Sequence, residues 1–307
     1  LYFILTVGVV VLNAFINQLY IRKFVRIRWC NIQLFKYIKP NITLGIYTLM
    51  SSMYLTFNVM YLGLVSDNTE VGYYTTAFKL YSVLLGFFTA FTSVMLPRMS
   101  SLLANGENAR FQELVDRSCS VVATFCIPLI LYGIILAPQI IYTLSGPEYE
   151  GAIFPMRIIM PAAFAVGMAQ VLAIQILMPM KKDRVLLMAS IIGAIVSLLI
   201  NLLVVPYVAS VGSAVVLLCS EMVVAATYVV YVLSHRLARI PIRIVWENIC
   251  YSLPGALVCW GCSRWIENEF VVVVCAVILA GTVWIIVQVI AKTSVGERMK
   301  SLLLLRR

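Results

Sequence analysis

Hydrophobic positions in this chain come in long unbroken runs rather than in alternation with polar ones. Nine such runs, at residues 1–19, 40–65, 73–95, 120–144, 153–180, 185–205, 212–233, 249–263 and 270–290, are separated by short polar segments. A helix rising about 1.5 Å per residue needs roughly twenty residues to cross about 30 Å of hydrocarbon, and most of the runs supply them. Strands would have to carry unpaired N–H and C=O groups into lipid at several kcal/mol each. The pattern therefore predicts an all-α polytopic membrane protein of about nine transmembrane helices.

Charge changes this picture by giving it a direction. Twenty of the 23 basic residues fall in residues 20–39, 98–117, 181–184, 236–243 and 292–307. The other set of connections holds one base, Arg264, against Asp67, Glu70, Glu148, Glu150, Glu267 and Glu269. By the positive-inside rule the first set is cytoplasmic, so the chain begins outside and ends with a cytoplasmic C-terminus. Its net charge of +10 could also suggest nucleic acid, but such a surface gathers its bases on one face, whereas here membrane spans separate them. With 62% hydrophobic and only 12% charged residues, the composition is also far from a soluble domain, about a quarter of which is charged.

The chain opens inside an apolar run without an initiator Met, and no charged segment precedes the run as it would in a signal peptide. Residues 1–19 are therefore expected to be the last helix of an upstream part. Residues 20–39 are expected to form a basic, amphipathic cytoplasmic linker along the membrane face, with Phe24, Ile27 and Trp29 among its charges. The longest internal loop, residues 98–117, is expected to hold a short helix from Asn108 onward.

Chemistry is sparse outside the membrane. There is no phosphate-binding G-x-x-x-x-G-K-[ST], no H-E-x-x-H and no G-x-S-x-G, and no loop is long enough for a catalytic domain. Cys259 and Cys262 have the spacing of a redox or metal pair, but no second pair accompanies them and the sole histidine, His235, falls on the cytoplasmic side. Packing is the simpler reading for the cysteines, and solvation for His235. No metal site and no cofactor is expected, and the chain does not read as an enzyme. Work would have to draw on an ion gradient, of H+ or Na+, or on the substrate's own gradient, as in a secondary transporter or flippase.

Ionisable groups at membrane depth are then the informative ones, because a charge near the bilayer centre costs about 3 kcal/mol on insertion scales. Lys79, about two turns into its span, either snorkels to the outer surface or faces a water-filled cavity. Arg157 lies nearer the outer end, where it can snorkel or pair with Glu148 or Glu150. Glu221, in mid-span, reads as a proton or cation site or as a charge partner for Lys79. Asn58, Asn201, Gln170 and Gln175 add polarity at depth, and Pro128, Pro138, Pro161 and Pro179 can free carbonyls that line cavities or simply kink packed helices. Tyr54, Tyr61, Tyr73, Tyr74 and Tyr81 give the second and third spans an aromatic character, with interface anchoring the simple explanation near the ends.

The run from Met60 through Ser66-Asp67-Asn68-Thr69-Glu70-Val71-Gly72-Tyr73-Tyr74 to Lys79, with Leu96-Pro97-Arg98 at the other end of the same span, resembles Wzx-type bacterial polysaccharide flippases. So do Asn201 to Pro206, Val211-Gly212-Ser213-Ala214 and Ser220-Glu221. These flippases belong to the multidrug/oligosaccharidyl-lipid/polysaccharide exporter superfamily. The resemblance covers about residues 1–235. It implies two six-helix lobes around a central cavity: residues 1–19 as the last helix of a first lobe whose other helices lie upstream, 20–39 as the linker, 40–235 as the second lobe, and 236–307 as two extra helices and a tail. The implied activity is translocation of undecaprenyl-diphosphate-linked oligosaccharide across the bacterial cytoplasmic membrane by alternating access, for O antigen or capsule. Membrane lipids, a polysaccharide polymerase and a chain-length regulator are the implied partners.

On that resemblance Lys79, then Arg157, and Arg98 at the cytoplasmic entry, are the candidates to bind the diphosphate, Lys as a point charge and Arg as a bidentate clamp. Glu221, Asn58 and Asn201 are candidates for ion coupling, although relatives often have an acid where Asn58 stands. Two alternatives stay open. A cation-coupled multidrug or toxin extruder of the same superfamily would prefer an acidic cavity, and a membrane-embedded glycan polymerase or ligase would carry a large external loop.

Overall fold

The computed structural model describes residues 2–22 and 34–291, and these form helices joined by tight connections. By internal packing the chain divides into residues 1–42 and 43–307. The first unit holds α1 (Tyr2–Arg22), largely apolar, in which Asn17 donates to Asn13 one turn back at 2.7 Å. It also holds the start of α2 (Leu34–Val65). Helix thus continues past both expected linker boundaries, to Arg22 and from Leu34, because charged residues are as helix-competent as apolar ones and nothing ends a helix where the lipid ends. Lys23, Arg26, Arg28 and Cys30 of the linker, and the basic residues of the tail, lie outside the described residues.

In the second unit, α3 (Asn68–Ala104) follows α2 after a turn in which Asp67 accepts from the Glu70 amide at 2.9 Å, capping the new helix. The helix starts five residues before the apolar run does, so Lys79 lies about three turns in rather than two. At the far end it runs past Arg98 to Ala104, and α4 (Asn108–Ile135) begins after a three-residue turn. The expected loop at 98–117 is therefore two helix extensions meeting at Gly106, whose φ of +72° closes the turn.

Pro138 accounts for a break that hydropathy does not show. Lacking an N–H and crowding the carbonyl four residues earlier, it ends α4 at Ile135 and sends the chain into α5 (Ala137–Ser145). A 3₁₀ turn (Pro147–Ala152) leads to α6 (Ile153–Gln170), which widens into a π-helical turn (Val171–Leu177). Then comes α7 (Asp183–Ser234), 52 residues and far longer than a bilayer is thick. It is two spans joined at a sharp reversal after Pro206, where Ala209 is held at φ 42°. Glu70 Oε2 accepts from the Ser210 amide at 3.0 Å, fastening this bend to the α2–α3 turn. Gly212 is required there, since a Cβ would lie 2.9 Å from the Val205 Cα. α8 (Ile242–Trp265) and α9 (Glu269–Ile290) complete the chain.

The core is centred on α6, which packs against α7, α3 and α4. Lipid offers helices no hydrophobic gain for associating, so close approach decides, and Ala162, Ala163, Ala165, Gly167 and Ala169 provide it. A Cβ on Gly167 would come within 2.8 Å of Val122 on α4. α8 and α9 pack on each other and on α4 and α5. Two polar residues of α8, Asn248 and Ser252, are buried where helices meet: Gln288 of α9 donates to Asn248 at 3.2 Å, and Tyr132 of α4 to the Ser252 carbonyl at 3.4 Å. Among the described residues, six helices are long and apolar enough to cross a membrane, and α7 supplies two spans. With α1 and α8, the protein is a multi-pass all-α membrane protein, as the sequence indicates.

Candidate functional site

Three groupings collect the polar residues at depth. The first is a face of α3. Thr75, Lys79, Ser82, Gly86, Thr89 and Ser93 recur at helical spacing and form one stripe down the helix, with Lys79, Gly86, Thr89 and Ser93 exposed. The hydroxyls donate to carbonyls of the preceding turn, Thr75 to Val71, Ser82 to Lys79, Thr89 to Leu85 and Ser93 to Thr89. Each oxygen remains available as an acceptor, and the donors do not cost the helix unpaired protons. Arg98 is exposed beyond the basic end of the stripe. A similar face on α2 carries Gly45, Thr48, Ser52 and Thr56, all exposed. Neither helix has an acidic residue after Glu70 or before Asp67.

Lys79 is thus exposed on the small, hydroxyl-bearing side of α3, whereas Tyr74, Ala77 and Tyr81 on the other side are fully buried. Burial of Tyr74 and Tyr81 makes them core residues and not interface anchors. Arg157 behaves differently. It is half-buried, and its Nε donates to the Ile134 carbonyl at 3.1 Å, the carbonyl that Pro138 leaves without its helical donor. Positive charge at this point also suits the C-terminal end of α4. The structure therefore gives Arg157 a definite partner at a helix break, and the pairing is with a carbonyl rather than with Glu148 or Glu150.

The second grouping joins α2, α3 and the second arm of α7. Asn58 is buried, and its amide donates to the Tyr74 hydroxyl and to the Ser213 carbonyl, both at 3.0 Å. On the first arm of α7, Asn201 is also buried and donates to the Ser197 carbonyl of the same arm at 2.9 Å. Asn58 Oδ1, Asn201 Oδ1 and Ser213 Oγ accept or donate no hydrogen bond among the described residues. Buried oxygens of this kind are uncommon.

Glu221 belongs to a third grouping. It is 6% exposed and lines a cavity of about 170 Å³ with Tyr47 and Ser51 of α2, Gln170 of α6, and Ser190 and Tyr228 of α7. Tyr47 and Tyr228 exchange a hydrogen bond, and Ser51 bonds Tyr47. The α3 residue in the wall is Leu85, so Lys79 does not line this cavity. Gln170 connects the cavity to the α3 stripe, donating to Thr89 at 3.0 Å and accepting from Thr92 at 3.2 Å. Sequence reading singled out Glu221 and Gln170 but missed the tyrosines. The available signal was spacing: Glu221, Val224 and Tyr228 share one helix face, as do Tyr47 and Ser51.

Elsewhere, Cys259 is buried with Leu136, Val272 and Ala276, and His235 stacks on Tyr231 at a ring separation of 4.1 Å at the end of α7. Among the described residues no cluster of His, Cys, Asp and Glu has the makings of a metal site.

Comparison with known proteins bears on this arrangement. Residues 5–154 match the family model described as polysaccharide biosynthesis protein. An Escherichia coli (strain K12) protein named "Putative O-antigen transporter" is 26% identical over 189 residues, which cover 61% of this chain and 45% of that protein. Among solved structures, the lipid II flippase MurJ in an inward closed conformation superposes with a TM-score of 0.70 at 14% identity, covering 88% of this chain and 57% of its own. An outward-facing multidrug-resistance MATE transporter of the MOP superfamily gives 0.57 at 14% identity, covering 82% and 61%. The chain thus spans about half the length of the proteins it matches. The structural likenesses establish a fold that this chain shares with both of those transporters.

Proposed function

We propose, from the premise that the chain is a polysaccharide-biosynthesis membrane protein related to the Wzx-type flippases, that it moves an undecaprenyl-diphosphate-linked oligosaccharide between leaflets of the bacterial cytoplasmic membrane by alternating access. Residues 40–235 serve as one lobe, facing another across a central path; α8 and α9 are an accessory pair, and the C-terminus is cytoplasmic. A polysaccharide polymerase and a chain-length regulator act on the product.

The observation that carries this reading is the exposed hydroxyl stripe of α3 with Lys79 on it. A diphosphate cannot enter hydrocarbon unaided, so a carrier must offer acceptor and donor groups in place of water, and positive charge against the phosphates, while the polyprenyl chain stays in lipid. The stripe offers hydroxyl oxygens that can accept from the sugar hydroxyls along its length, Lys79 supplies the charge within the span, and Arg98 supplies it at the basic end. Lys79 is the first diphosphate contact. Arg157, bonded to Ile134, is the second and also braces the α4–α5 break. Asn58, Asn201 and Ser213 present oxygens of the type that a coupling cation would use. An extruder of organic cations is disfavoured, since the exposed faces of α2 and α3 are without carboxylates between the Asp67–Glu70 turn and either helix end.

The test is reconstitution of the full protein in liposomes loaded with fluorescent undecaprenyl-diphosphate oligosaccharide, with a membrane-impermeant glycosidase outside. Protein-dependent movement of inner-leaflet glycan to the enzyme supports the function. Transport of organic cations with no glycan movement would overturn it.

A further inference from the structure

We infer that a groove between the second arm of α7 and the start of α8 holds one anionic glycerophospholipid, with an acyl chain in the groove and the phosphate against Arg236 and Arg239. The inference goes beyond the transport reading and takes from it only that the basic face of the protein is cytoplasmic.

The groove, of about 290 Å³, is walled by α4, α6, the second arm of α7 and the first turn of α8 with the connection before it. Its wall is apolar throughout, Cys119 counting as a small apolar residue. No residue of α2 or α3 lines it, so it lies apart from the hydroxyl stripe. Met222, Leu233 and Ile242 of the wall are exposed, which leaves the groove open sideways to lipid. Along α7 it runs from Met222 to Leu233, roughly 16 Å of helix, or about half of the roughly 30 Å of hydrocarbon. That is the reach of an acyl chain anchored in one leaflet. An undecaprenyl chain is far longer and would overrun it.

The end at Leu233 is the charged one. Arg236 follows Leu233 by one turn's length of chain, Arg239 directly precedes Ile240 and Pro241 of the wall, and both arginines are exposed. Arg243 pairs with Glu247 at 2.6 Å and Arg117 of α4 with Glu113, whereas neither Arg236 nor Arg239 has a carboxylate partner among the described residues. Gln112 of α4 donates to the Arg239 carbonyl at 3.0 Å and accepts from its amide at 2.9 Å, which fastens the backbone carrying Arg239 to α4. The same Gln112 donates to Asp116 at 2.8 Å. Trp246, exposed one turn into α8, is of the residue type that settles at headgroup level. Cations at the mouth of an apolar cleft between membrane helices match the phosphate and the tail of an anionic lipid together, and a zwitterionic headgroup would bring them no net charge. The chain's own tail is a poor occupant, because it carries Lys292, Arg298, Lys300, Arg306 and Arg307 against Glu297 alone and would set like charges on the same rim.

Native mass spectrometry of the full protein, delipidated in detergent and then offered an equimolar mixture of phosphatidylglycerol and phosphatidylethanolamine, reads the occupant by its mass. Wild type should keep one phosphatidylglycerol. Arg236→Gln with Arg239→Gln should bind it about thirtyfold less tightly, the scale expected for two basic residues at a membrane surface. Ala226→Phe, which fills the groove from an exposed wall position and removes no charge, should lose it as well. Lys182→Gln with Arg184→Gln, exposed on the same basic face but outside the groove, should retain it as wild type does. Added phosphatidylglycerol should raise the Tm of wild type and not that of either groove variant, so a variant that folds poorly is recognised by its starting Tm and the other still decides. Equal loss from all three variants would show general attraction of lipid to a basic surface and would overturn the proposal. So would equal retention of phosphatidylethanolamine, preference for undecaprenyl phosphate over phosphatidylglycerol, a second copy of the chain in place of the lipid, or the same rise in Tm from inorganic phosphate alone. No glycan enters the measurement. Lipid retention by a protein that moves no glycan would refute the transport reading and not this site, and the converse result would refute only the site.

Discussion

Replacing Lys79 by alanine should cut glycan export roughly thirtyfold. An ammonium about 4 Å from a phosphate oxygen interacts by about 4 kcal/mol at an effective dielectric near 20. Lys79 is exposed on a hydroxyl-lined face rather than enclosed, so solvent screening removes a large part of that. About 2 kcal/mol remains, which at 1.36 kcal/mol per tenfold gives the stated factor. The assay is surface-glycan display in a bacterial strain lacking its own flippase, normalised to the amount of protein in the membrane. Lys79→Arg should retain part of the activity, because the charge persists while the compact ammonium does not. Position matters as much as charge. Val83, one turn further along and 71% exposed, shares the Lys79 side of α3, so Lys79→Ala with Val83→Lys should recover part of export. Leu80 packs on the core, so Lys79→Ala with Leu80→Lys should recover none. Wild-type export by Lys79→Ala at equal membrane level would refute the reasoning, and equal rescue from both relocated lysines would show that the face is irrelevant.

Other consequences follow from the packing. Gly193→Val should destabilise the protein by about 1–3 kcal/mol in detergent thermal unfolding, because even a Cβ there would lie 2.5 Å from Val224 across the arms of α7. Arg157→Met should lower thermal stability by about 1.5–3 kcal/mol through loss of the charged bond to Ile134, while exporting better than Lys79→Ala. A membrane-impermeant thiol reagent applied outside cells should label a cysteine introduced at Asn68 or Ser145 but not one at Asn105, provided the native thiols are first blocked or removed; labelling of Asn105→Cys alone would invert the orientation.

Much of the fold was legible because lipid imposes one rule on every segment. Apolar runs had to be helices of bilayer length, and the observed helices overlie them. Helix ends were less legible, since hydropathy marks where lipid stops and not where hydrogen bonding stops. Hence α3 begins at Asn68 and ends at Ala104, beyond its apolar run on both sides. The break at Leu136 lies two residues before Pro138 and the reversal at Ala209 three residues after Pro206, but Pro161 continues within α6. Only packing distinguishes the prolines that turn the chain from those that do not.

The candidate site divides in the same way. Composition and spacing along one chain determined that a few charges stand at depth, that α2 and α3 lack carboxylates within their spans, and that hydroxyls recur along α3, for these are properties of a helix by itself. Which charges face outward and which are enclosed was decided by tertiary structure. Arg157 turned to a carbonyl freed on another helix, Lys79 remained on an open face, and Glu221 met Tyr47 from a segment far away in sequence. The physical reason is that a helix sets the angle between its own side chains, whereas a buried charge takes its environment from the neighbours that close over it, and those are chosen only when all the helices pack together.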